Sequence, residues 1–179
     1  MNGLIPQNVA VNTALQLTVQ RGTTQSVPVA LTVTDLQPGI FTISQTGQGQ
    51  GAVRIANTVT IAGPAGPGSQ PVPRGGFIEV YCTGLGAVQA RDGSASPGDG
   101  VPTPATTLYD TVATATATVG GVNAPTVFSG LSPFSIALYQ VNVQIPSNAP
   151  TGNAVPLVIT MTGKNGAVSS QTGVTIAVQ

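Results

Sequence analysis

Residues 137–146, ALYQVNVQIP, alternate strictly: Tyr139, Val141, Val143 and Ile145 on one side, Gln140, Asn142 and Gln144 on the other. A period of two over this length describes a strand with one buried and one wet face. Pro146 closes the strand, because proline has no N–H to give to a ladder. The pattern occurs a second time in weaker form. Met1-Asn2-Gly3-Leu4-Ile5-Pro6-Gln7-Asn8 aligns with Val141-Asn142-Val143-Gln144-Ile145-Pro146-Ser147-Asn148 at an offset of 140. The chain therefore reads as the end of one β module followed by one whole module of the same kind.

The rest of the sequence supports an all-β reading. Charged residues make up 6% of the 179 positions, against about 25% in an ordinary globular domain. A disordered chain would also lack apolar residues, yet 41% here are hydrophobic. Aromatics contribute only 4%, so the core must be Val, Ile, Leu and Ala, which with abundant Thr favour pleated sheet. The 23 Gly and 15 Pro fall between short runs, as in a sandwich of many strands. Five basic residues balance five acidic ones, so no basic patch exists to neutralise phosphates and a nucleic-acid partner is not expected. No apolar run is long enough for a helical membrane span. No basic segment followed by an apolar one opens the chain. A surface of Thr, Ser, Asn and Gln with few charges matches extracellular bacterial proteins in composition.

Along the chain, Leu15, Leu17 and Val19 alternate with polar residues, Arg21-Gly22 begins a turn, and Val27, Val29, Leu31 and Val33 alternate again. This is a hairpin, with Pro28 placing its second strand at a sheet edge or leaving it a free N–H side. Ile40 and Phe41 are expected to plug the end of a core. Residues 52–61 hold two short extended pieces around Asn57. Residues 63–73, GPAGPGSQPVP, form the clearest boundary, too rich in Pro and Gly for regular structure. The expected organisation is thus a partial module with an extended connector over residues 1–63 and a complete module over residues 64–179. In the latter, Ile78, Val80 and Cys82 face inward opposite Glu79, and Val155, Leu157, Ile159 and Met161 form another inward row. Val174, Ile176 and Val178 make the last strand. No segment has sustained helical periodicity with caps.

Arg74-Gly75-Gly76-Phe77-Ile78-Glu79-Val80-Tyr81-Cys82-Thr83-Gly84-Leu85-Gly86 resembles the opening of an IPT/TIG-type immunoglobulin-like domain. The later order of Val119-Gly120-Gly121, Ala124-Pro125-Thr126-Val127-Phe128, residues 138–146, and Gly152 with residues 155–160 is similar. A narrower resemblance is to the Solibacter-type uncharacterised C-terminal domain of secreted acidobacterial proteins. It is carried by Gln37-Pro38-Gly39-Ile40-Phe41-Thr42, the Gly84-Leu85-Gly86 turn and Leu138-Tyr139-Gln140-Val141-Asn142-Val143. This resemblance implies tandem immunoglobulin-like β-sandwiches, the first incomplete within this chain, in an exported or cell-surface protein. It transfers no catalytic residue. The family pattern has a fuller first module, with strands ahead of the point matching Met1.

The chemistry-bearing residues are few. Without His there is no His-based triad, general base or imidazole metal site. Cys82 is the single cysteine, and its inward parity makes it a small core hydrophobe. Asp92 and Asp99 share one loop of Asp-Gly turns and are weak Ca²⁺ candidates, since the spacing fits no EF-hand. Glu79 and Asp110 as a glycosidase pair lack aromatic subsites in a chain without Trp. The glycines of residues 47–51 lack the strand-loop-helix setting of a phosphate loop. Lys164 reads as a solvated turn residue, and the threonines of residues 103–118 as strand formers. No cofactor is expected.

The expected role is a non-catalytic extracellular structural or adhesion module. The reasoning is energetic: an isolated hairpin is marginal in water. Leu15, Leu17, Val19, Val27, Val29, Leu31 and Val33 would form an exposed apolar sheet with open edges, which is an association site. Strands from another copy, or from a partner β module, are expected to complete it by β-augmentation, giving a filament, or a dimer or ring if the contact closes; the alternative to assembly is a monomeric fragment whose first hairpin packs on its own second module. The alternative is a carbohydrate-binding module with Tyr81 or Tyr109 as the sugar platform and a polysaccharide as partner.

Overall fold

The computed structural model describes residues 3–179, so Met1 and Asn2 of the repeat lie outside the described residues. The chain splits into two compact units, one ending at Asp35 and the other running from Leu36 to Gln179. Every regular element among the described residues is a β-strand.

The first unit holds β1 (Ala14–Leu17), β2 (Gln20–Arg21), β3 (Thr24–Gln25) and β4 (Val29–Thr32). β1 pairs antiparallel with β4, and β2 with β3, as two separate two-stranded ladders. Leu15 faces Leu31 and Leu17 faces Val29 across the first ladder, so these four side chains share one face. None of the described residues of this unit is buried.

The second unit holds β5 (Gly39–Ile40), β6 (Gly49–Gln50), β7 (Val53–Ile55), β8 (Ile61–Ala62), β9 (Ser69–Gln70) and β10 (Phe77–Thr83). It continues with β11 (Val88–Ala90), β12 (Tyr109–Thr111), β13 (Thr114–Val119), β14 (Val122–Ala124) and β15 (Thr126–Leu131). The last four are β16 (Tyr139–Gln144), β17 (Gly152–Gly163), β18 (Gly166–Ser169) and β19 (Val174–Val178). One sheet runs β11-β12-β15-β16-β10-β7-β8-β9, with β5 also against β10. The other runs β14-β13-β17-β19-β6, with β18 also against β17. The chain crosses between sheets at Pro125, where a missing N–H ends one ladder and the next begins. This is a β-sandwich-like architecture around a single hydrophobic cluster.

The central pair is β10 with β16. Ile78 sits opposite Val143 and Val80 opposite Val141, and all four are fully buried. Leu157, Ile159 and Met161 of β17 and Ile176 of β19 close over them from the other sheet. Burying each such side chain contributes about 1.5–3 kcal/mol, and with so few aromatics the core is a sum of many such increments.

The unit boundary lies between Asp35 and Leu36 rather than at residue 63. Gln37-Pro38-Gly39-Ile40 belongs to the second unit: Ile40 pairs with Cys82, Gly39 with Thr83, and the Gln37 N–H donates to the Gly84 carbonyl at 2.9 Å. A Cβ on Gly84, whose φ is +72°, would collide with the Gln37 carbonyl, which is why glycine stands there. Ile40 plugs this core, whereas Phe41 points out and is half exposed. Residues 52–61, expected within the first module and its connector, place Val53 in the second core beside Val80. The Gly/Pro-rich residues 63–73 are also built in. β9 pairs parallel with β8, Val72 is fully buried, and its backbone exchanges hydrogen bonds with Ala177 and Gln179. Proline and glycine dominate that stretch, but the N–H groups of Ser69 and Val72 between them are free to bond, and two-residue bridges need no more.

Val141→Asp should unfold the second unit. It places an unpaired carboxylate in a dry core at a cost of several kcal/mol, against a total stability of about 5–15 kcal/mol. Loss of the cooperative thermal transition in that variant is the expected result, and an unchanged midpoint would show the core to be wrongly placed.

Candidate functional site

The hairpin of the first unit is the feature with the most to explain. Its ladder has the register of the last hairpin of the second unit. Leu15 pairs with Leu31 and Gln16 with Ala30, as Val155 pairs with Ile176 and Pro156 with Thr175. First-strand residues lie 140 positions before their counterparts, second-strand ladder residues 145 and the serine between the ladders 144. Both hairpins break between their two ladders, and a serine fills the break in the same way. The Ser170 N–H donates to the Ile159 carbonyl (2.7 Å) and its Oγ accepts the Ile159 N–H (3.1 Å). The Ser26 N–H donates to the Val19 carbonyl (2.9 Å) and its Oγ accepts the Val19 N–H (3.0 Å). In this register Leu15, Leu17, Val19, Val29, Leu31 and Val33 correspond to Val155, Leu157, Ile159, Val174, Ile176 and Val178, all buried. The first set is not: Leu17 is 49% and Val29 61% exposed, and Leu15, Leu31 and Val33 are half-buried. Val27, 83% exposed, has no counterpart in the register.

A second candidate lies on the outer face of the larger sheet. Cross-strand pairing lines up Phe128, Asn142, Glu79 and Arg54 in one row, and Asp110, Gly130, Gln140 and Tyr81 in the next. Arg54 stands over the Tyr81 ring, 5.3 Å from its centroid, and the Tyr81 hydroxyl donates to Glu79 Oε2 at 3.3 Å. Burial, and then the Glu79 charge, hold the Tyr81 hydroxyl above its ordinary pKa. Arg91 grips Asp110 with two hydrogen bonds and stands over the Phe128 ring; the hydrogen bond to Asp110 raises the Arg91 pKa. An open groove of about 280 Å³ crosses this face, with Glu79 and Asn142 among its polar lining and Ile55, Phe77 and Val127 among its apolar lining.

The remaining sequence candidates are dispersed. Glu79 and Asp110 stand three strands apart on one face, which is about 14 Å at the usual strand spacing. That is outside the roughly 5–9.5 Å of glycosidase pairs, and both carboxylates already have partners. Tyr109 is buried, not a platform; Tyr81 is the half-exposed one. Asp92 accepts the Ser94 N–H at 2.9 Å and is held below the usual carboxylate range by Ser94. Among the described residues, no three of His, Cys, Asp and Glu converge on a metal-sized space, so Asp92 and Asp99 belong to no such group of three. Gly47 and Gly49, both at positive φ, form a turn tied back by Thr42 Oγ1 rather than a phosphate cradle. Lys164 is exposed in the β17–β18 turn. Of the threonines of residues 103–118, Thr103 is buried outside any strand, while Thr114 and Thr116 are exposed on β13.

Sequence reading missed the Arg54–Tyr81 and Arg91–Phe128 contacts, since residues 27 and 37 positions apart meet only through cross-strand register. It also missed Phe134, 80% exposed at positive φ on the turn before β16. Set against known protein families, curated proteins and solved structures, the chain finds no match in any of the three comparisons.

Cys82 is fully buried and unpaired, and burial pushes its pKa from 9.0 up to about 12. Between those values the unfolded chain binds fewer protons than the folded one. Stability held below pH 9 should therefore fall as pH rises and be lost above pH 12. Chemical denaturation over this window should show a steeper decline for the wild type than for Cys82→Ala. Native labelling by a thiol reagent should be slow. Equal pH slopes, or rapid labelling, would contradict the burial.

Proposed function

We propose that this chain is a non-catalytic structural or adhesion module of an extracellular or cell-surface protein, and that its first hairpin is an assembly element completed by strands from outside it. The observation that carries the reading is the hairpin's equivalence: six apolar residues stand at positions that are core positions in the second unit. An apolar face with two open edges is an association site, and strand addition supplies main-chain bonds along those edges. The resemblance to the secreted Solibacter-type domain and to IPT/TIG sandwiches, and a surface poor in charge, support the extracellular setting. A partner β module fits better than a complete second copy, because a copy's own β17–β19 hairpin already covers the faces that this hairpin needs.

A carbohydrate-binding role is the second reading, favoured by the groove with Phe77, 41% exposed, beside Glu79 and Asn142. Apolar rings with convergent polar groups are what sugar hydroxyls and C–H faces require. Retention on a panel of immobilised polysaccharides, lost on Phe77→Ala, would establish this reading; no retention removes it.

The assembly reading is tested by hydrogen exchange on the full chain. Amides of β1 and β4 should exchange fast while those of β10, β16 and β17 are protected, and a protease should trim the first unit and leave residues 36–179 with an unchanged thermal midpoint. Protection of the hairpin equal to that of β17 at every concentration would overturn the proposal. Protection that appears only at high concentration would identify second copies as the completing strands.

A further inference from the structure

We infer that residues 14–33 are the closing hairpin of a second sandwich of the kind formed by residues 36–179, and that their occupant is the remainder of such a sandwich: a module without a closing hairpin of its own. This rests on the reading that the hairpin is completed from outside. The register, the break between ladders and the serine that bridges it are a combined signature. Generic hairpins continue one ladder to the turn, whereas these two interrupt it at the same residue of the first strand, Val19 and Ile159. The 140-residue offset also carries Ile5, 48% exposed, onto Ile145, 1% exposed.

The equivalence specifies what the occupant supplies. β13 runs antiparallel along residues 157–162 of β17, so an antiparallel strand belongs along residues 17–22, where no ladder partner stands on that side among the described residues. β6 runs parallel to β19 at Val174 and Thr175, so a parallel strand belongs beside Val29 and Ala30. The aliphatic face of a β10–β16 pair belongs over Leu15, Leu17, Val29 and Leu31.

Two alternatives are weaker on physical grounds. Face-to-face pairing of two such hairpins joins surfaces about 13 Å long and 10 Å wide, far below the roughly 800 Å² per partner of a stable interface. Charge steering has little to act on, since Arg21 is the single charged residue of residues 14–33. Recognition therefore falls to ladder register and aliphatic fit, which a sandwich lacking its closing hairpin supplies at once on one face and two edges.

The test extends the full chain with an added copy of residues 36–142, joining Asn142 of the copy to Gly3 so that the 140-residue register is kept. Amides of β1 and β4 are expected to exchange slower by on the order of a hundredfold or more than in the unextended chain. Leu15→Asp with Leu31→Asp in the extended chain should restore fast exchange and leave the amides of β10, β16 and β17 protected. Unchanged exchange of β1 and β4 in the extended chain overturns the inference, whether the added copy stays unfolded or takes β17–β19 instead. Slow exchange already present in the unextended chain would defeat the underlying reading, so the two failures are told apart.

Discussion

Everything in the second unit depends on the β17–β19 hairpin closing over the β10–β16 pair. Ile78, Val80, Val141 and Val143 present a flat aliphatic face, and Leu157, Ile159 and Ile176 are the side chains that keep water from it. The cluster contains no Trp or Phe, so no single large side chain anchors it. Cohesion comes from many small branched residues in register. That makes the core intolerant of local disruption: shifting one strand by a residue would turn its whole apolar row to solvent. It also explains why short irregular pieces are recruited. Ile40, Val53, Ala62 and Val72 each fill a place in the cluster; the Gln171 side-chain amide bonds both the N–H and the carbonyl of Ile40, and Val72 exchanges backbone bonds with Ala177 and Gln179.

The same hairpin design appears where nothing among residues 3–35 closes it. The two hairpins share the central pairing, the ladder break and the bridging serine; the first has shorter ladders and lacks the burial. Local interactions therefore suffice to set the register, while the apolar face is satisfied only by another layer. Ser170 is buried and Ser26 exposed with the same pair of bonds, so the serine serves backbone geometry first; its burial follows from what covers it. A face of this composition left in water favours association, which is the physical basis for reading the first unit as a joint.

The outer face of the larger sheet handles its few charges conservatively. Arg91 pairs with Asp110 over Phe128, and Arg54 rests on Tyr81 beside Glu79. Exposed pairs of this kind contribute little to stability. Their effect is to pair the charges of this face and to cover its rings.

Much of the fold was legible in the sequence. Strict alternation assigned the inward sets of β10, β16, β17 and β19, including Cys82, because side-chain direction in a strand has a fixed period of two. The 140-residue repeat was visible in residues 1–8, before any pairing was known. The extent of the second unit, by contrast, was misread at residues 36–73, where, of the buried apolar residues, only Ile40 was expected to be so. Pro and Gly there signal a linker, yet whether a short segment is a linker or a rim strand is set by which edge lies open beside it. The neighbours of Arg54, Arg91 and Phe134 were invisible for the same reason: cross-strand partners are distant in sequence and are fixed by sheet order. The sequence determined which residues are strands and which way they face, since those follow from local geometry. Only the tertiary structure decided that the short pieces of residues 36–73 join the second sandwich, because that depends on which sheet edge lies open beside them, which no local pattern specifies.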